Sequence, residues 1–161
     1  MQLLGKTILM VAVDGIDREE VLQLKRGFEE EGALVLSTTP QPYIVVSMAA
    51  GEEKKRELVV DVPFEAVAEY EFEGLLLPDG VEKAGEEEFP LVVKLVDSFY
   101  RRRKPIFASG GSSRFLREAG ALPPSVVVRE GTAIEGFLEQ AVEALSDYPS
   151  QAFAYRATKA L

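Results

Sequence analysis

The chain has 161 residues, 47% of them hydrophobic, and 27 acidic against 18 basic side chains give it a net charge of −9. That length fits one domain over residues 1–161 with apolar material enough for a core, while the acidic balance argues against nucleic acid as a partner, because phosphate contacts need a basic face. The absence of cysteine and histidine removes disulfides, thiolate catalysis, soft-metal sites and the usual acid–base group near neutral pH.

No apolar run approaches the roughly 18 residues of a membrane span, and Lys6 is followed by a strand-like run rather than a secretory pattern. A cytoplasmic location is therefore expected, with no membrane partner, no metal and no cofactor. A composition free of Asn and Trp and rich in Glu, Arg and Lys fits a thermophilic source.

In chain order, Lys6 to Val13 reads as a first strand. Asp14-Gly15-Ile16-Asp17 is a turn that caps the next helix, where Val21, Leu24 and Phe28 recur at helical spacing before Gly32 ends it. Ala33 to Ser37 is a second strand, and Tyr43–Ser47 with Glu57–Asp61 reads as a hairpin across a polar loop. Pro63 to Tyr70 is a short helix or turn, and Phe72 to Leu77 a buried strand stopped by Pro78-Asp79-Gly80. Glu86 to Arg103 is a long helix, whose basic end Arg101-Arg102-Arg103-Lys104 complements the helix dipole. Lys104 to Ala108 is a strand, Ser109 to Ser113 a sharp turn, and Arg114 to Gly120 a helix closing on glycine. Pro123-Pro124 breaks the chain before Val126-Val127-Val128, a last strand, and Thr132 to Leu145 is a last helix, followed by a tail over 146–161.

Strands alternating with helices predict an α/β three-layer sandwich, a mostly parallel, flavodoxin-like sheet covered by helices on both faces. Such sheets place sites at the carboxyl ends of their strands. Three turns are expected to meet there: 14–17, 78–80 and 109–112.

These turns, in this order, resemble the DJ-1/PfpI family, whose fold belongs to the class I glutamine amidotransferase-like group. Lys104-Pro105 through Ala119-Gly120 is similar to the family's Lys-Pro strand, its Cys-His-Gly turn and its helix ending Glu-Ala-Gly. Glu73-Gly74-Leu75-Leu76-Leu77-Pro78-Asp79-Gly80 is similar to the strand ending Pro-Gly-Gly, and Arg129 to Glu135 to the last strand-to-helix junction. The resemblance implies a homodimer and a peptidase-, glyoxalase- or deglycase-like ancestry. It also exposes departures. Gly110 stands at the nucleophilic cysteine and Gly111 at the adjacent histidine. Asp17 falls near the family's acidic residue on the first helix, and Asp79 replaces the first glycine of Pro-Gly-Gly, whose N–H helps bind the oxyanion. The link from Gly120 to Val126 is shorter than the family's.

Three chemistries remain for this vestigial elbow of Asp17, Gly110 and Gly111. Ser109, Ser112 and Ser113 lie near the tip without a histidine to activate them, and capping the helix at Arg114 is their simpler use. Gly110, Gly111 and Ser112, with Arg114 as a forked donor and Asp79 and Gly80 beside them, read as an anion-binding turn or as an ordinary packed one. Asp14, Asp17 and Asp79 offer oxygen ligands for Mg²⁺ or Ca²⁺, loosely similar to receiver domains, or serve only as turn and cap residues. The favoured expectation is a non-catalytic relative acting as a small-ligand-binding or assembly module. The alternative is a hydrolase/peptidase- or glyoxalase-like enzyme using Asp17 or Asp79 instead of a thiol.

Overall fold

Seven short strands and four helices follow the predicted order in a computed structural model that describes residues 2–14, 16–41, 45–46, 56–57, 60–121, 126–129 and 134–146. The strands are β1 (Thr7–Val11), β2 (Leu34–Thr38), β3 (Val45–Val46), β4 (Arg56–Glu57), β5 (Gly74–Leu77), β6 (Ile106–Ser109) and β7 (Val126–Arg129). The helices are α1 (Arg18–Glu30), α2 (Phe89–Arg101), α3 (Ser113–Ala119) and α4 (134–146). Five strands form one parallel sheet in the order β2-β1-β5-β6-β7, the doubly wound order in which the chain reverses direction beside the first strand. The predicted hairpin is present as the antiparallel pair β3–β4, but its second strand lies at Arg56–Glu57 and Asp61 is not part of it, its N–H bonding the Ser37 carbonyl instead; its loop, the Pro123-Pro124 break, most of the 129–135 junction and the tail from 147 onward lie outside the described residues.

The layers follow from strand alternation. Successive side chains of β6 point to opposite faces, so Phe107 and Ser109 share one. On that face Phe28 of α1 meets Phe107 with ring centres 5.7 Å apart, and Leu145 of α4 reaches Gly74 of β5. The Lys6 ammonium donates to the Leu145 carbonyl and ties α4 to the start of β1. The other face is covered by α2 and α3, which stack Phe89 on Phe115 at 4.5 Å. All side chains of β5 and β6 are buried, as both-sided cover requires. Among the described residues no helix is long and apolar enough to cross a membrane.

Local chemistry sets the helix ends. Asp17 caps α1, its Oδ1 accepting the Glu19 N–H at 2.9 Å. Helix α2 starts at Phe89 rather than Glu86, because Pro90, which has no N–H to give, sits in its first turn. Its basic end divides in function. Arg101 pairs with Asp97 at 3.0 Å, whereas Lys104 is buried with its ammonium 5.7 Å from the centre of the Phe99 ring. Helix α3 closes on Gly120 at φ 68°, with open space where a Cβ would stand. Gly120→Ala is therefore a clean test of backbone strain. It should cost about 1 kcal/mol and lower Tm by about 2–4 °C in thermal unfolding.

Candidate functional site

The three predicted turns do converge at the carboxyl edge of the sheet. Beyond β1 the chain passes through buried Ile16 to the Asp17 cap. Beyond β5 it turns at Pro78-Asp79-Gly80 into a 3-10 turn over Val81–Lys83. A Cβ on Gly80 would lie 3.2 Å from the Ile16 backbone, so these two turns touch. Beyond β6 a 3-10 turn, Gly110–Ser112, runs directly into α3.

Gly110 has φ 57°, the left-handed region where a side chain is strained. A Cβ there would stand 2.5 Å from the Asp79 carboxyl carbon. The Asp79 carboxylate thus occupies the space toward which a side chain at the tip would project. Its Oδ1 also accepts the Gly111 N–H at 2.9 Å. The turn that reads as an anion receptor in the sequence meets an anion supplied by the chain itself. Glu82 closes the other side: its Oε2 accepts the Gly80 N–H at 2.8 Å, and a Cβ on Gly111 would collide with its carboxylate.

The serines are not helix caps, which corrects the expectation from their position. Ser112 has helical torsions, because the 3-10 turn leads into α3 without a break, and its side chain makes no cap hydrogen bond. Fully buried, it donates instead to the Pro78 carbonyl and lies 3.2 Å from Glu82 Oε2, stitching the second turn to the third. Ser109 belongs to β6 rather than to the turn. Its hydroxyl donates to Glu20 Oε1 at 2.5 Å, with Ser109 fully buried and Glu20 only 9% exposed.

That last pair changes which acid matters. Asp17, matched in the sequence to the acidic position of the first helix, is exposed and occupied in capping. Glu20, one turn further on, is the carboxylate buried beside the elbow. The signal was available: Glu20 stands four residues before Leu24 and eight before Phe28, in line with the buried stripe of α1. Glu82 carried no comparable signal, since a 3-10 turn of three residues has no periodicity to read. Arg114 is exposed, and its guanidinium lies 4.8 Å from the centre of the Phe89 ring. Among the described residues no group of three or more carboxylates is close enough to hold a metal ion, so Asp14, Asp17 and Asp79 do not assemble into a cation pocket. The Asp14 N–H is instead bonded to Gln41 Oε1 at 2.7 Å.

Comparison with known proteins agrees with this fold. The model of the DJ-1/PfpI family matches residues 6–145. A Bacteroides thetaiotaomicron protein superposes with a TM-score of 0.69 at 14% identity, over 88% of this chain and 99% of its own. A DJ-1 superfamily protein from Agrobacterium tumefaciens gives 0.68 at 14% identity, over 96% and 99%. Oxidized DJ-1 from Toxoplasma gondii gives 0.62 at 14%, over 92% and 98%. No curated protein sequence matches the chain significantly.

Proposed function

The chain belongs to the DJ-1/PfpI family, and from that premise we propose that it is a non-catalytic member in which the elbow has become a structural joint of a binding or assembly module. One observation carries the reading: the Asp79 carboxylate lies against Gly110 and accepts the Gly111 N–H. Nucleophilic catalysis needs a reactive atom at the tip and free donors for the charge that develops. Here glycine is at the tip, and a backbone donor beside it is engaged by a carboxylate. A substrate oxyanion would have to displace that carboxylate and then sit beside Asp79 and Glu82, against like charge.

The buried pair of Ser109 and Glu20 does not supply a replacement. A hydroxyl next to a carboxylate has the chemistry of a nucleophile and a base, but Ser109 has no exposed surface, and a substrate carbonyl cannot approach within the roughly 3–3.5 Å that attack requires. Asp17 and Asp79, the acids of the enzymatic alternative, are engaged with backbone N–H groups of Glu19 and Gly111.

The test is an assay of the purified chain with methylglyoxal and with unfolded protein substrates. The expected result is no turnover above a heat-denatured control. Turnover that persists through purification and disappears in Asp17→Ala or Asp79→Ala would overturn the reading. A cytoplasmic location is part of the reading, and a homodimer goes with it by family resemblance; light scattering should then give twice the 17.7 kDa chain mass, and a monomer at tens of micromolar would remove the dimer.

A further inference from the structure

At the opposite edge of the sheet from the elbow lies a cavity of about 230 Å³, between the 3-10 turn Phe64–Glu69 and α2. Tyr70 and Phe72 precede β5, and Arg102 and Lys104 precede β6, so the cavity opens where these strands begin. Five residues of extended chain, about 16 Å, separate Lys104 from Ser109. Nothing in the elbow's chemistry accounts for what this cavity presents.

Its walls are aromatic, formed by Phe64, Tyr70, Phe72 and Phe99. Its polar groups are chiefly cations: Lys94, Arg102 and Lys104 line it, with Glu65 as the single acid among the described lining residues. In a chain of net charge −9 this is a local reversal of sign. Tyr70 and Leu91, which also line it, are 53% and 38% exposed, so apolar surface is open to solvent at the mouth. An apolar pocket with a few converging polar groups is the usual form of a small-molecule site. Aromatic walls alone also suit cations, as in the cages that hold ammonium groups, but Lys94 and Arg102 at the exposed side of the lining oppose that occupant.

We propose that this cavity binds a small aromatic carboxylate. The ring of the ligand packs among Phe64, Phe72 and Phe99, where offset and edge contacts add to burial. Its carboxylate faces Arg102, whose planar fork matches two carboxylate oxygens, with Lys94 adding charge at the rim. Lys104, held against Phe99, closes the inner wall. The site does not depend on the elbow being inactive.

The experiment is a titration of the full chain with 3-phenylpropionate and with 3-phenylpropan-1-ol, followed by NMR shifts. The acid should saturate with a Kd on the order of 0.1–1 mM, within the ligand efficiency that molecules of this size reach. The neutral alcohol should bind at least tenfold more weakly. Arg102→Gln, at an exposed position, should weaken the acid about tenfold and leave the alcohol unchanged. Ser98→Trp, placed to fill the cavity, should abolish binding of both in a chain whose melting shows it folded. Asp79→Ala, at the other edge, should leave every affinity unchanged. Absence of saturation by the acid at 10 mM, equal affinity for the alcohol, or indifference to Arg102→Gln would each overturn the proposal. So would a loss in Asp79→Ala as large as that in Arg102→Gln.

Discussion

Gly110→Ala should destabilise the fold by about 2–4 kcal/mol, although it adds a single methyl group. Two costs combine. A side chain at φ 57° carries about 1–2 kcal/mol of left-handed strain. The new Cβ, 2.5 Å from the Asp79 carboxyl carbon, also forces that carboxylate to move, and with it goes the bond to the Gly111 N–H, about 1–2 kcal/mol for a charged acceptor at a half-exposed position. Chemical denaturation would read the loss as a lower midpoint at unchanged m-value. Repeating the substitution in an Asp79→Ala background separates the two costs. There the collision is gone and only the strain remains, so the two changes should couple by about 1–2 kcal/mol. Additive losses would mean that Asp79 is not what the new methyl group meets.

The same geometry predicts what does not revive chemistry. Gly110→Cys returns a thiol to the tip, but against the Asp79 carboxylate, and a neighbouring negative charge opposes thiolate formation. Turnover of methylglyoxal should therefore stay at the control level in Gly110→Cys. The chain has no histidine to assist it either. Restored turnover in the single variant would show that the carboxylate is no obstacle.

How far the sequence could be read depended on the range of each interaction. The strands and helices of the main sheet were legible because their signals are local and repetitive: Val21, Leu24 and Phe28 on one face of α1, four buried residues in a row in β5 and in β6, and Gly120 closing α3. The convergence of three turns followed from topology, since parallel strands carry all their carboxyl ends to one edge. What was not legible is what those turns do to one another. Asp79 reaches Gly111 across 32 residues and Ser112 reaches Pro78 across 34. No pattern within either turn announces the partner. The serines misled for a related reason. Their residue type suits an N-cap, but that preference assumes extended torsions at the cap, and the continuous 3-10 turn into α3 gives Ser112 helical ones. Lys104 reads both as the last of four basic residues ending a helix and as the first residue of the next strand, and the second reading decides its place, because that strand enters the core at the next residues and takes it inside.

The acidic residue of the first helix gives the second large expected effect. Glu20→Ala should destabilise by about 2–4 kcal/mol, against about 1 kcal/mol for Asp17→Ala. Asp17 is exposed, and its side chain supplies one cap bond to Glu19, an interaction whose loss typically costs about 1 kcal/mol. Glu20 is 9% exposed and holds the hydroxyl of Ser109, which has no exposed surface at all. Removing the carboxylate deprives a buried donor of this acceptor, at about 1–3 kcal/mol, and empties the volume that the side chain filled on the α1 face of β6, with a further penalty for the space left behind. The two variants invert the order that residue matching to the family suggests, so thermal melts of Asp17→Ala and Glu20→Ala decide which acid belongs to the elbow. Ser109→Ala completes the cycle. In a Glu20→Ala chain there is no longer a bond for Ser109→Ala to break, and its cost should fall by about 1–2 kcal/mol relative to the parent. Equal costs in the two backgrounds would mean that the short contact between them contributes nothing to holding the first helix against the central strands.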